Sequence, residues 1–245
     1  MLLDENTLTA SILNLFLPPV CPLCEQDVRA AGSPFCGACH GELCSMLIKG
    51  PVCTVCGAPF ASGASGGHTC GDCLTSPPPL VRSLSVFAFA GEVREAVHRL
   101  KYSGSVILGA PLGRMFRYLP EGGVDARLDI IMPVPLHVRR LRSRSFNQSL
   151  LLARGAARII PARLDYGNLE RVRFTEQQVN LPPKERQRNV TGAFALKRPA
   201  QVNGKKVALV DDVYTTGATI RECAKVLKKA GAEVYALTLA RAVSL

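Results

Sequence analysis

Four Cys-x-x-Cys pairs near the start of the chain constrain its fold more than any other feature of the sequence. Two thiolates at this spacing can reach one tetrahedral ion from a tight turn, which is the arrangement of a zinc knuckle. The gaps of 11 and 13 residues fit two consecutive four-cysteine sites, and pairing the first with the third and the second with the fourth is also compatible. Eight thiolates fill two tetrahedral shells, so we predict two structural zinc ions. The ligands would be Cys21, Cys24, Cys36, Cys39, Cys53, Cys56, Cys70 and Cys73.

Other uses of these cysteines fit less well. A thioredoxin-like redox protein needs one such pair in a βαβ unit rather than four pairs close together. The run Cys36-Gly-Ala-Cys39-His40 matches a haem-attachment pattern, but haem attachment requires export. The N-terminus is acidic where a signal peptide is basic, and no run approaches the ~18 apolar residues of a membrane span. We therefore expect a cytoplasmic protein with no transmembrane segment.

The positive charge of the chain is concentrated in one stretch. The formal net charge is +11, yet residues 1–80 contain 2 Lys and Arg against 6 Asp and Glu. Residues 139–198 contain 14 Lys and Arg against 4 Asp and Glu. Such a stretch predicts a polyanionic partner, either nucleic acid or a phosphorylated ligand. The alternative is a solvated basic face.

The hydrophobic pattern divides the chain into two domains. We predict a first domain over residues 1–79, which contains an N-terminal helix over 1–20, the zinc module and a proline-rich linker. The second domain, over 80–245, alternates strands with helices, which implies an α/β fold with a mostly parallel sheet covered on both faces. Its predicted strands cover 81–90, 128–132, 207–210 and 233–239, and its predicted helices cover 92–102, 107–119, 146–160 and 217–230.

The densest chemical signal follows the strand predicted over 207–210. Two carboxylates, Asp211 and Asp212, come directly after it, and a loop of small and hydroxylated residues then opens a helix. A helix N-terminus offers free N–H groups and partial positive charge to a phosphate, while the carboxylates suit hydroxyls or a divalent cation. A sugar phosphate with Mg²⁺ satisfies both halves. The alternative is a capped helix beside two solvated acids. The loop residues are Thr215, Thr216, Gly217, Ala218 and Thr219.

These residues resemble the phosphoribosyl-pyrophosphate signature of type I phosphoribosyltransferases. The stretches 133–153 and 171–194, together with the cysteine pairs, are similar to the ComF family of competence-associated proteins. The resemblance extends from Leu17 to Arg241 and implies a type I phosphoribosyltransferase-like domain after the zinc module. One departure is Ser145, where the family usually has glycine. If the backbone there needs a positive φ, serine holds it with strain.

The resemblance also implies roles for individual residues. Asp211 and Asp212 would hold the ribose hydroxyls, directly or beside Mg²⁺, and Thr215–Thr219 would bind the 5′-phosphate. Residues 171–190 would form a flexible loop that closes over the site, with an ordinary surface hairpin as the alternative. The pyrophosphate loop would include Leu136, His137, Arg139 and Arg140, and the flexible loop Arg173, Thr175, Gln178, Arg186 and Asn189.

For function, the ComF resemblance implies a protein of natural transformation that binds phosphoribosyl pyrophosphate and single-stranded DNA. Other DNA-uptake proteins at the inner face of the membrane are expected partners. Phosphates would contact the basic stretch and bases would stack on its aromatic rings, although such rings also anchor loops to their own core. We expect residues 139–144 to form an extended loop whose side chains alternate between the ligand and DNA. The expected DNA contacts are Arg142, Arg144, Phe146, Arg171, Lys184 and Arg188.

A nucleobase-salvage phosphoribosyltransferase is the second hypothesis. It explains the acids and the phosphate loop equally well, but neither the cysteines nor the basic stretch. Purine-type transferases commonly place a carboxylate, which can serve as a base, at the first position of the phosphate loop, where this chain has Thr215. A base-recognising hood is not identifiable either. The sequence therefore supports ligand binding more strongly than transfer, and enzymatic activity stays open.

Overall fold

The structure is a computed structural model, and it describes residues 19–28, 33–60, 67–102, 105–120, 127–175 and 183–243. Its main sheet consists of parallel strands. The strands are β1 (Arg82–Ala88), β2 (Ile130–Pro133), β3 (Arg163–Leu164), β4 (Leu169–Arg171), β5 (Phe194–Leu196), β6 (Lys206–Tyr214) and β7 (Glu233–Arg241). Five of them form one sheet in the order β1-β7-β6-β2-β3, with every pairing parallel. The other two, β4 and β5, form an antiparallel pair.

Helices connect and cover these strands. They are α1 (Gly37–Ser45), α2 (Gly71–Thr75), α3 (Gly91–Tyr102), α4 (Gly109–Arg114), α5 (Val138–Arg144), α6 (Gln148–Ala156), α7 (Pro183–Val190) and α8 (Ala218–Lys229). The strands predicted over 81–90, 128–132 and 233–239 are confirmed within two residues at each end. Sequence reasoning missed β3, β4 and β5, because two or three residues are too few to establish a period.

Both faces of the sheet are buried, which confirms the predicted fold class. On one face Val207 and Leu209 of β6 belong to the same apolar cluster as Ile220 and Leu227 of α8. Side chains alternate along a strand, so Ala208 and its neighbours on the opposite face are buried as well, where α6 contacts β6 and β2.

The helix predicted over 107–119 is broken into three pieces. A short 3-10 turn, Val106–Leu108, precedes α4, and a second, Met115–Tyr118, follows it. The reason is the close crossing of α4 and α6, where a Cβ on Gly113 would lie 2.8 Å from the Cα of Gly155. Glycine permits this crossing but weakens the helix that contains it.

The chain divides into two compact units, residues 1–45 and residues 46–245. The first unit contains α1. Residues 1–18 of the helix predicted over 1–20 lie outside the described residues. The second unit contains both the second pair of cysteine knuckles and the sheet. In it the backbone N–H of Ser83 on β1 donates to the carbonyl of Val55 at 2.7 Å. The predicted boundary between residues 79 and 80 stays a prediction.

Strand β6 is longer than predicted. Pairing with β7 continues through Asp211 opposite Thr238 and Tyr214 opposite Arg241. The two carboxylates therefore lie within the strand rather than after it. Cross-strand hydrogen bonds outweigh the low strand propensity of aspartate here.

The stretch predicted as an extended loop over 139–144 is instead the helix α5. The ring Nδ1 of His137 caps its start by accepting a hydrogen bond from the backbone N–H of Arg139 at 3.2 Å. Ser145 ends it in the left-handed conformation at φ 64°, with its N–H bonded to the carbonyl of Leu141 at 2.7 Å. The backbone at Ser145 does need a positive φ, so serine holds it with strain.

Replacing this serine should stabilise the fold. The left-handed region costs an L-residue ~1–2 kcal/mol, which glycine avoids, and the greater unfolded-state entropy of glycine offsets part of that gain. We expect Ser145→Gly to raise the free energy of unfolding by about 0.5–1 kcal/mol in urea titrations. The control is Ser143→Gly, inside α5, which should lower it by a similar amount. A Ser145→Gly protein no more stable than wild type would contradict this account.

Candidate functional site

A cavity of about 320 Å³ lies at the carboxyl ends of β6 and β2. Ligands bind at this end of parallel sheets in α/β proteins. Among the predicted site residues, Leu136, Arg140, Arg186, Asp211, Asp212, Thr215, Gly217, Ala218 and Thr219 line it. Arg144 and Arg171, expected to contact DNA, line it too. The structure thus joins the predicted phosphate loop, the acidic pair and part of the basic stretch around one space.

The acidic pair is held by neighbours on three elements. The Ser149 hydroxyl donates to Asp211 Oδ1 at 2.8 Å, and the backbone N–H of Asp212 donates to the same oxygen at 2.9 Å. Burial, and then the charge of Asp212, raise the pKa of Asp211 to about 7. Asp212 is buried and its Oδ2 lies 3.0 Å from the Nζ of Lys101, at the end of α3. Burial opposes the charge on Lys101, but the attraction of Asp212 raises its pKa overall.

The phosphate loop connects β6 to α8. Gly217 precedes α8 with φ 72°, and a Cβ there would lie 2.2 Å from the Tyr214 hydroxyl oxygen. Only glycine fits, on both conformational and steric grounds. The Thr216 hydroxyl accepts a hydrogen bond from the N–H of Ala218 at 3.4 Å. Thr215 is exposed and Thr219 half-buried, and both line the cavity, so a bound anion would meet the N-terminus of α8 there.

Arginines supply the opposite charge. Arg140 and Arg144 lie one helical turn apart on α5, and both face the cavity. Burial, and then the nearby charge of Arg144, lower the pKa of Arg140. Burial and the charge of Arg140 lower the pKa of Arg171 to about 10. Guanidinium groups that destabilise one another in this way favour a bound anion with several phosphate oxygens.

The other arginines of α5 point outward. Arg139 and Arg142 are exposed, and the Arg139 guanidinium lies 5.3 Å from the centre of the Phe174 ring. His137 packs edge-on against the same ring at 5.4 Å. The helix therefore separates Arg140 and Arg144 from Arg139 and Arg142, whereas an extended loop would have divided the four residues differently.

The predicted flexible loop contains ordered elements. Its start is tied to α5, because Arg140 donates to the Thr175 carbonyl at 2.9 Å. Arg173 donates to the carbonyls of Asn189 and Thr191 at 3.0 and 2.7 Å and so lies outside the cavity lining. Farther along, Gln187 of α7 donates to the buried Glu222 of α8 at 3.1 Å. Gln178 lies outside the described residues, as does the side chain of Lys184. Closure of this loop stays a prediction.

The aromatic rings of the basic stretch divide by burial. Phe194 is buried, with Arg171 over its ring, so it anchors a strand and cannot stack on a base. Phe146 is half-buried, and Phe174 is exposed. Arg188 is exposed on α7. The DNA contacts expected at Arg142 and Arg188 are thus accessible, while Arg144 and Arg171 face the cavity.

Eight of the ten cysteines form two groups of four, each with its sulfur atoms within 4.8 Å of one another. Consecutive pairs combine in each group, so the interleaved alternative is wrong. Backbone N–H groups point at the sulfurs, as from Cys70 to Cys53 Sγ at 3.3 Å. Burial opposes ionisation, but these N–H groups lower the pKa of Cys53 to about 6. Four converging thiols with a favoured thiolate fit a structural zinc site.

Sequence reasoning missed Lys101 and Ser149 as site residues. Each is an ordinary residue of an amphipathic helix, and no motif marks it. The side chain of Lys101 is mostly buried at the end of α3. A charged residue on the apolar face of this helix is the one sequence signal that could have pointed to it. Both reach the acidic pair because the topology places α3 and α6 beside β6.

The chain is similar to known proteins along nearly its whole length. The double zinc ribbon domain family matches residues 12–74, and the phosphoribosyl transferase domain family matches residues 147–244. The DNA utilization protein YhgH of Salmonella typhimurium is 33% identical over 89% of this chain and 94% of the relative. Competence protein F of Haemophilus influenzae is 31% identical over 91% and 96%. Competence protein ComFC of Bacillus subtilis is 27% identical over 91% and 95%. No helix within the described part of the chain is long and apolar enough to span a membrane.

Titration of Asp211 should make stability depend on pH. Aspartate ordinarily titrates near pH 3.8, so between about pH 4 and 7 the folded protein binds one proton more than the unfolded chain, and stability falls as the pH rises. Asparagine at this position cannot lose a proton. We expect the stability of Asp211→Asn, relative to wild type, to increase from pH 5.5 to pH 8 in urea unfolding of zinc-loaded protein. A difference that does not change with pH would contradict a carboxyl that is protonated on folding.

Proposed function

The chain belongs to the ComF family of competence-associated proteins, and from this membership and the geometry of the cavity we propose that it binds phosphoribosyl pyrophosphate with Mg²⁺, and single-stranded DNA, in DNA uptake and utilization. The observation that carries the proposal is the convergence of three features in one cavity. They are an acidic pair of which Asp212 is buried, a glycine-containing loop at a helix N-terminus, and a cluster of arginines. A ribose with a phosphate at one end and a pyrophosphate at the other has matching chemistry.

We assign the ligand groups by charge. Asp211 and Asp212 accept hydrogen bonds from the ribose hydroxyls, and the loop Thr215–Thr219 binds the 5′-phosphate. Arg140 and Arg144 bind the pyrophosphate, since both line the cavity. Arg139, which was also predicted to contact the pyrophosphate, is exposed outside the cavity. Mg²⁺ favours oxygen ligands and would neutralise the pyrophosphate beside these carboxylates. Lys101 already supplies one positive charge to Asp212, so it orients this carboxylate before the ligand arrives.

We propose that the protein binds phosphoribosyl pyrophosphate without transferring its phosphoribosyl group. The first position of the phosphate loop is Thr215, whose hydroxyl is a poor general base. A nucleobase-salvage enzyme is tested by pyrophosphate release. Release that requires one nucleobase would favour salvage, whereas ligand binding without release favours a role in DNA uptake.

Single-stranded DNA would bind the outer surface of α5. Arg139 and Arg142 are exposed there, and the exposed ring of Phe174 lies beside Arg139. Guanidinium groups contact phosphates, and an exposed ring offers a stacking face that does not depend on sequence. Because Arg140 and Arg144 occupy the inner side of the same helix, α5 can serve both ligands at once.

The ligand assignment predicts different effects for neighbouring arginines. Arg140→Met should weaken phosphoribosyl pyrophosphate binding by roughly ten-fold or more in isothermal titration with Mg²⁺, because a charge-assisted hydrogen bond contributes ~1.5–3 kcal/mol. Asp212→Asn should weaken it as well. Arg139→Met, the same change on the outer side of α5, is the control and should leave affinity within about two-fold. Equal effects at Arg139 and Arg140 would overturn the assignment.

The DNA surface predicts a change in salt dependence. Each phosphate neutralised on a single strand contributes about −0.7 to the slope of log affinity against log salt, so Arg139→Ala with Arg142→Ala should flatten it by roughly 1.4. The affinity should fall alike for all sequences in fluorescence anisotropy. The matched control is Arg154→Ala with Arg158→Ala, which removes the same charge from exposed positions in and after α6. Identical slopes in both double variants would mean that the outer side of α5 is only a solvated face.

A further inference from the structure

Arg241, the last residue of β7, connects the second four-cysteine group to the sheet. Its Nη1 donates to the carbonyl of Cys56 at 2.7 Å, and its Nη2 lies 3.6 Å from the Cys56 sulfur. A zinc ion with four thiolate ligands carries excess negative charge, which a guanidinium at this distance balances. Arg241 is therefore held more firmly when the group of Cys53, Cys56, Cys70 and Cys73 binds zinc.

The other side of Arg241 faces the base of the phosphate loop. Its guanidinium lies 4.4 Å from the centre of the Tyr214 ring, opposite it on β6. Tyr214 is only 3% exposed, and its hydroxyl has no hydrogen-bond partner among the described residues. Packing alone sets the position of this ring. The ring lies directly against Gly217, so a displaced Tyr214 would displace the turn that presents the loop to the cavity.

A second arginine makes a parallel connection. Arg221 in the first turn of α8 donates to the carbonyl of Ser76 at 3.1 Å. Ser76 directly follows α2, the helix that contains Cys73. The backbone N–H of Arg221 donates to the Gly217 carbonyl at 2.8 Å. The segment of the second cysteine group is thus connected to the phosphate loop through Arg241 on the strand side and through Arg221 on the helix side.

We propose that zinc in the second four-cysteine group positions the phosphate loop through Arg241, so that this zinc and the phosphoribosyl ligand strengthen each other's binding. The inference rests on the proposed function for its ligand. Arg241 is a positioning residue, since it acts through Tyr214 and does not line the cavity. Binding linkage is reciprocal, so the factor by which zinc raises ligand affinity equals the factor by which the ligand raises zinc affinity.

The experiment measures zinc loss from the second group alone. In full-length Cys39→Ser protein the first group lacks a ligand, and zinc transfer to a colorimetric chelator reports the second group. Zinc affinity is measured by chelator competition with and without phosphoribosyl pyrophosphate and Mg²⁺. We expect the ligand to raise zinc affinity about five-fold or more, the lower range of coupling between sites. Adding Arg241→Met should remove most of this response and weaken ligand binding, since only the connection through Arg221 remains, and Arg241→Lys should restore part of both.

Two controls keep the outcomes separate. Arg154→Met removes an exposed arginine charge and should keep the full response. Asp212→Asn weakens ligand binding to the protein. A change in apparent zinc affinity that persists in this variant therefore comes from zinc binding by the ligand in solution. If the Cys39→Ser protein does not bind the ligand, the proposed function fails. If it binds the ligand but zinc affinity does not change, or if Arg241→Met keeps the response, the coupling is overturned while the ligand site stands.

Discussion

The parallel pairing of β6 with β7 is the interaction on which the cavity depends. It continues past the point where the apolar run ends, to Tyr214 opposite Arg241. On the other side, β2 pairs with β6 as far as Val210, and the N–H of Val134 extends this contact at 2.9 Å. Strand β6 is thus hydrogen-bonded to a neighbour on each edge directly before Asp211 and Asp212. The short loop after Tyr214 then brings the N-terminus of α8 to the same space.

Charges of both signs are removed from water in this cavity, and neither sign is fully balanced by the other. Burial raises the pKa of Asp211 to about 7 and lowers that of Arg171 to about 10, so in both groups the charged form is less stable than it is in water. Lys101 forms its ion pair with Asp212, and its charge offsets only part of the pKa rise at Asp211. A ligand that carries hydroxyls in its middle and phosphates at its ends relieves both imbalances. This complementarity is the physical reason for favouring a phosphoribosyl ligand over a simple anion.

The helix α5 shows how a local cap decides which side chains act together. His137 at its start and Ser145 at its end close one short helix, despite four arginines that repel one another. Helical geometry then groups residues four apart, which places Arg140 with Arg144 at the cavity. In an extended chain, neighbouring side chains would have faced opposite sides. Arg171, from β4, completes the inner cluster although it was expected to contact DNA.

The sequence by itself determined the features that depend on short spacing. The cysteine pairs at knuckle spacing and the alternation of strands with helices are both local patterns, and the structure confirms the zinc-type cysteine groups and the fold class that they predict. Only the tertiary structure decided which distant side chains meet. Lys101 reaches Asp212 and Arg241 reaches Cys56 across gaps of more than a hundred residues. Such contacts follow from strand order and helix packing. The packing energy that selects this arrangement is distributed over many residues, so no local motif reveals it.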